Sequence, residues 1–165
     1  MKNIISFILE KLSPFNVYIM VGIPGSGKST YARKLLEINP DWAYISRDEV
    51  RYRTVSDPDH YFDHEYDVYK EFCNEISMHL QRGETTIADA THLNRSSREK
   101  LLNNIVKPSQ VICVVIDTPF EECMKRNAGR EGITRVPDKT MYRMRNSFHR
   151  PDARVENIDA VYMVK

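Results

Sequence analysis

The apolar run Val17–Val21 (VYIMV) leads without interruption into Gly22-Ile23-Pro24-Gly25-Ser26-Gly27-Lys28-Ser29-Thr30. An apolar run without alternation suits a central strand of a parallel sheet, buried on both faces. The segment behind it matches the pattern G-x-x-x-x-G-K-[ST]. Its glycines let the backbone curl so that N–H groups point inward at phosphate oxygens, where side chains would obstruct. A helix is expected from about Lys28 to Ile38, stopped by Asn39-Pro40, and its positive dipole end adds to the same point. Lys28 is then placed to reach the β- and γ-phosphates of ATP, and the Ser29 hydroxyl to ligate Mg²⁺. Gly22, Pro24, Gly25, Ser26, Gly27 and Thr30 complete the expected cradle.

A strand feeding a helix through such a loop belongs to an α/β fold, and the rest of the chain continues the pattern. Short strands are expected at Ala43–Ser46, Thr85–Ala88, Val111–Ile116 and Ala160–Val164. A long helix is expected from Asp59 to Gln81, closed by Gly83. Ser96-x-x-Glu99 reads as a capping box for a helix ending near Val106, and further helices are expected at Phe120–Asn127 and Pro137–Phe148. Strands separated by helix-length segments imply a three-layer P-loop fold: a central parallel sheet flanked by helices. The 165 residues suit one domain, with residues 1–14 as an N-terminal extension and 126–136 as a lid region. The extension holds an apolar stretch, Ile4–Leu9, expected as a short helix lying on the domain. No apolar run reaches the roughly 20 residues that a membrane span needs. Three cysteines at unrelated spacings argue against a disulfide framework and for a cytoplasmic setting.

In parallel sheets of this kind, ligands sit outside the carboxyl ends of the strands. Beyond the second strand lies Ser46-Arg47-Asp48-Glu49-Val50-Arg51. A carboxylate there can take the proton of an attacking hydroxyl, and Arg51, three residues on, shares its helix side with Asp48. The third strand runs into Asp89, a position suited to a Mg²⁺ partner, with Asn94 shortly after as a substrate contact or a helix cap. Lys125-Arg126-Asn127-Ala128-Gly129-Arg130 places Arg126 and Arg130 around a glycine-bearing turn, from which an arginine can cover developing charge on a transferring phosphoryl group. His60, Asp63, His64 and Asp67 share a helix face but read better as a polar surface than as metal ligands. Residues 1–90 carry ten Lys/Arg against fourteen Asp/Glu, whereas residues 91–154 carry thirteen against seven. A basic half suits a polyanionic ligand such as ATP or a nucleic acid.

GIPGSGKST, SRDEVR, DATHLNRSSREK and DTPFEECMKRNAGREG with VPDKTMYRM, in that order, resemble the kinase domain of the bacteriophage polynucleotide 5′-kinase family. The resemblance covers roughly residues 16–151, with the spacing at Ala90–Leu93 differing by one residue. It implies ATP-dependent transfer of a phosphoryl group to a 5′-hydroxyl end of DNA or RNA. By position it implies Asp48 as general base, Arg51 as contact to an acceptor phosphate, Asp89 as the third-strand carboxylate, and Arg126 and Arg130 as lid arginines. No D-x-D-x-T motif is present, so a 3′-phosphatase activity is not expected. A small-molecule kinase acting on a sugar, nucleoside or antibiotic alcohol would use the same loop, base and lid. An ATP-binding switch without transfer chemistry would not need Asp48 beside Lys28, Ser29 and Arg130. Neither a membrane nor an obligate protein partner is implied.

Overall fold

The computed structural model describes residues 15–165, so the expectation for Ile4–Leu9 and the 1–14 extension lies outside the described residues. Five strands form one parallel sheet: β1 Asn16–Val21, β2 Ala43–Ser46, β3 Thr86–Asp89, β4 Gln110–Ile116 and β5 Ala160–Val164. Their spatial order is β2-β3-β1-β4-β5. Six α-helices intervene: α1 Lys28–Ile38, α2 Arg47–Thr54, α3 Glu65–Gln81, α4 Arg95–Asn104, α5 Phe120–Ala128 and α6 Asp138–Asn146.

The alternation of side chains along β1 builds the layers. Val17, Ile19 and Val21 join Phe72, Ile76 and Leu80 of α3 and Leu101 of α4 in one core. Met20 points the other way, joining Ile87, Ile112 and Val114 over Ala32 of α1. A smaller apolar cluster of Ile23, Leu93, Cys123 and Met141 ties α5 and α6 to the loops at the sheet's carboxyl edge. This is the three-layer α/β arrangement expected from the sequence.

The register decides where the chemistry gathers. Asp89 pairs with Met20 of β1 and with Ser46 of β2. The carboxyl ends of these three strands are therefore level, and the segments beginning at Gly22, Arg47 and Ala90 leave the sheet side by side.

Two expectations need correction. The helix expected from Asp59 starts only at Glu65; a 3-10 turn at Pro58–His60 and a further turn precede it. Val55 is buried ahead of that turn, and Tyr61 and Phe62 fold back toward Arg51, contacts that a straight helix from Asp59 does not provide for. The cap of α4 is Asn94, not Ser96: its side chain accepts from the Ser97 N–H at 2.9 Å, and the Ser97 hydroxyl serves the Asn94 N–H at 3.2 Å. Among the described residues no helix is long and apolar enough to cross a membrane.

Candidate active site

A cavity of about 680 Å³ opens at the carboxyl edge of the sheet. Its floor is the loop between β1 and α1. Gly25 has φ +81°, and a Cβ there would stand 2.6 Å from the Cys123 carbonyl oxygen, so only glycine lets this loop pack against α5. Gly27 caps α1 in the left-handed region at φ +98°, which turns the first helical N–H groups toward the cavity. Thr118 donates to the Ser26 carbonyl at 2.8 Å and fixes the loop from the β4 side. The Ser26 hydroxyl is buried without a partner, an unsatisfied polar group within the cradle.

Lys28 crosses the loop and donates to the Ile23 carbonyl at 3.1 Å. Burial pulls its ammonium below the ordinary range, while Asp89 and Asp48 favour the charged form. The Ser29 hydroxyl donates to Asp89 Oδ2 at 2.6 Å, and the Tyr44 hydroxyl donates to the same oxygen at 2.7 Å. Burial, and next the charge of Asp89, raises the Tyr44 hydroxyl well above its ordinary range, so it remains a proton donor. Asp89, buried at the end of β3, is thereby held facing Ser29.

The opposite wall is an ion cluster. Arg51 donates to Glu65 through Nε at 2.6 Å and Nη2 at 3.1 Å, and through Nη1 to Asp48 Oδ1. Arg47 donates to the same Glu65 at 2.6 Å. Burial works against the charge on Arg51, but Glu65 and Asp48 together hold it above its ordinary value. Burial likewise opposes the charge on Glu65, and the two arginines overcome it and hold the carboxyl below its usual range. The Asp48 side chain is 86% exposed to the cavity and solvent, against 8% for Arg51. The rings of Tyr61 and Phe62 flank the Arg51 guanidinium at 5.5 and 5.4 Å.

Pro24, Gly25, Gly27, Lys28, Ser29, Thr30, Asp48, Arg51, Asp89 and Arg130 all line this one cavity. Gly22 and Ser26 lie buried in the same loop, and Gly22 donates to the Thr91 carbonyl at 3.1 Å. Arg126 is outside the lining. It donates to the Gly25 carbonyl at 3.3 Å and to Glu122 at 2.9 Å, bracing the loop from α5. Asn94 is also outside, its side chain engaged as the α4 cap. Glu65, Arg47, Tyr44, Tyr61 and Phe62 escaped the sequence reading. Glu65 had the one available signal, a carboxylate on the helix that follows the Asp48-Arg51 pair.

The AAA_33 model, described as an AAA domain, matches residues 17–151. The chain belongs to the AAA_33 family of AAA domains. Solved structures place this AAA domain among proteins of the kinase-type P-loop fold. A chain of the Pnkp1/Rnl/Hen1 RNA repair complex is similar at TM-score 0.64 and 24% identity, over 81% of this chain and 45% of that one. A sugar kinase from Janibacter sp. HTCC2649 matches at TM-score 0.64 and 18% identity, over 92% and 84%. Chaetomium thermophilum Kti12 in complex with ADP-AlF3 matches at TM-score 0.66 and 14% identity, over 90% and 88%. The chain therefore spans less than half of the matched RNA repair chain. A comparison with curated protein sequences finds no match.

Proposed function

We propose that this AAA domain transfers the γ-phosphoryl group of ATP to the 5′-hydroxyl end of a DNA or RNA strand. The observation that carries the reading is Asp48: an exposed carboxylate, gripped through one oxygen by Arg51, facing the cavity that the phosphate loop floors. With Oδ1 engaged by Arg51, Oδ2 remains to accept the proton of an acceptor hydroxyl. As that proton leaves, the hydroxyl oxygen bonds to the γ-phosphorus and the bond to the β–γ bridging oxygen breaks, releasing ADP. Lys28, the loop N–H groups and Arg130 supply positive charge where the phosphoryl oxygens gather it.

Mg²⁺ fits the residues present. Ser29 and Asp89 offer a hydroxyl and a carboxylate side by side, hard oxygen donors of the kind it takes. They would hold it, and when bound it supplies neutralisation of the β- and γ-phosphate charge.

The polynucleotide acceptor is supported by the exposed Phe62 ring beside Asp48 and Arg51, a flat face on which a terminal base can stack. The likeness to a chain of an RNA repair complex agrees with it. A second reading, a small-alcohol kinase, is favoured by Glu65, which neutralises the cation that would otherwise grip an acceptor phosphate, and by the likeness to a sugar kinase.

The test is transfer of label from γ-labelled ATP with Mg²⁺ to a 5′-hydroxyl oligonucleotide, run beside a panel of sugars and nucleosides. Label on the oligonucleotide is expected, and Asp48→Ala is expected to abolish it while ATP binding persists. Label on a small alcohol alone replaces this reading with the second one.

A further inference from the structure

Asp48 stands in the first turn of α2, and among the described residues its only side-chain partner is Arg51, through Nη1 to Oδ1. The direction in which this exposed carboxylate faces therefore depends on where that guanidinium is held. Arg51 is in turn fixed from α3. Glu65, the first residue of that helix, takes Nε on Oε1 and Nη2 on Oε2, the two-pronged fit of a carboxylate to a guanidinium. Tyr61 and Phe62, just ahead of Glu65, lie against the same guanidinium at 5.5 and 5.4 Å. Glu65 is itself held by a further bond, from Arg47 Nη2 to Oε2 at 2.6 Å. None of this is remote from the chemistry: Arg47, Asp48, Arg51 and Glu65 all line the cavity that Lys28 and Ser29 floor.

To this wall α2 brings two cations, Arg47 and Arg51, and one cavity-lining carboxylate, Asp48; Glu65 is the second anion. Without the charge of Glu65, two guanidinium groups are left with one carboxylate in reach. A buried cation without a partner is costly, and Asp48, one helical turn from Arg51, is the anion at hand. Both of its oxygens would then be drawn onto Arg51, leaving neither to take a proton. With Glu65 in place, Arg51 offers Asp48 a single N–H, and Oδ2 stays open. We infer that Glu65 is a positioning residue for the transfer: it holds Arg51 so that Asp48 presents a free oxygen to the acceptor hydroxyl. The inference rests on the reading of Asp48 as the base and deepens it, and it applies to a strand end and to a small alcohol alike. The proton of the acceptor passes to Oδ2 as the acceptor oxygen bonds to the γ-phosphorus and ADP leaves. Arg51 thereby has a duty other than gripping an acceptor phosphate, since its Nε–Nη2 edge is filled by Glu65.

The test is the split between kcat and KM in two variants of the full chain. Glu65→Gln keeps the length of the side chain and removes its charge, whereas Glu65→Asp keeps the charge and shortens the reach. Transfer from γ-labelled ATP with Mg²⁺ is measured on whichever acceptor the wild-type chain labels, and an ATP-induced rise in Tm reports that each variant is folded and binds ATP. Glu65→Gln is expected to lower kcat by about tenfold to a hundredfold, the scale of a misplaced reacting group. The KM values for ATP and acceptor are expected to stay at wild-type levels, because neither is bound by Glu65. Glu65→Asp is expected to fall between Glu65→Gln and wild type, since a carboxylate still answers the two arginines. Wild-type kcat in the folded Glu65→Gln variant overturns the inference. So does a lowered acceptor KM at unchanged kcat, which would make Glu65 a guard that keeps an acceptor phosphate off Arg51. A kcat loss that merely follows lost ATP binding in both variants reduces Glu65 to a structural role. If Glu65→Gln shows no ATP-induced rise in Tm, Glu65→Asp carries the test, and wild-type kcat there overturns the inference. A wild-type chain that binds ATP but labels no acceptor sinks the kinase reading and this role with it, so the wild-type measurement alone tells the two failures apart.

Discussion

His92 stands at φ +42°, fully enclosed, with Nδ1–H donating to the Met20 carbonyl at 3.0 Å. Few side chains accept that backbone region, and burial leaves no water to hydrate a charged ring. Burial accordingly lowers the imidazole from its ordinary 6.5 to about 4. A group depressed in the folded state binds its proton first in the unfolded chain. Stability is therefore complete above pH 6.5 and is lost as pH falls from 6.5 toward 4. The loss attributable to this one ring approaches about 3 kcal/mol at the lower end. His92→Asn, which tolerates the same backbone region, is expected to remove this slope. Denaturant titrations of both proteins at pH 7, 5.5 and 4.5 read the difference, and parallel pH profiles would assign the slope elsewhere. His92 shows why single residues were only partly legible. Lys28, Asp48, Arg51 and Asp89 announce themselves by charge beside a strand end, whereas His92 is defined by a carbonyl 72 residues away.

At the scale of elements, the strands were legible because each is a short apolar run flanked by turn residues, and α1 and β2 fall where the local pattern puts them. The errors lie where two local solutions compete and a distant contact decides. Residues 59–64 are expected to open the helix, but Tyr61 and Phe62 lie over the guanidinium of Arg51 and α3 starts only at Glu65. Glu65 thereby becomes the partner of both Arg47 and Arg51, a role no periodicity encodes. Asn94 and Ser96 can each cap α4. The reciprocal bonds with Ser97 select Asn94, and with it a structural duty for a residue also expected to touch substrate. Asn94→Ala is expected to cost about 1 kcal/mol, the usual worth of an N-cap. Its Tm should fall by a few degrees while the KM values for ATP and acceptor stay at wild-type levels. An unchanged Tm with a raised acceptor KM would return Asn94 to the substrate.

At the scale of the whole molecule, one ion pair binds the end of the chain to the loop beside the cavity. Arg98 on α4 has 1% of its side chain exposed and Glu156, beyond α6, has 4%. They meet through Nε and Nη2, each at 2.8 Å, and Nη1 donates to the His92 carbonyl at 2.9 Å. Residues 91–93 are thus tied on three sides, since Gly22 donates to the Thr91 carbonyl and His149 to the Leu93 carbonyl at 2.8 Å. The bonds to Arg98 hold the Glu156 carboxyl below its ordinary value. Its contribution to stability is therefore present above about pH 4.5 and lost as pH falls through the lower folded value. Glu156→Ala leaves the Arg98 charge buried with only a carbonyl for company, and a loss of about 3–5 kcal/mol is expected, read as a lower denaturation midpoint at unchanged m. Replacing both partners, Arg98→Met with Glu156→Leu, removes the stranded charge and is expected to recover most of that loss. If the double variant proves as unstable as Glu156→Ala, the pair matters for the carbonyl of His92 rather than for its own charges. The Arg98 bond to residue 92 would then be what keeps Thr91 against Gly22 and the phosphate loop in its fold.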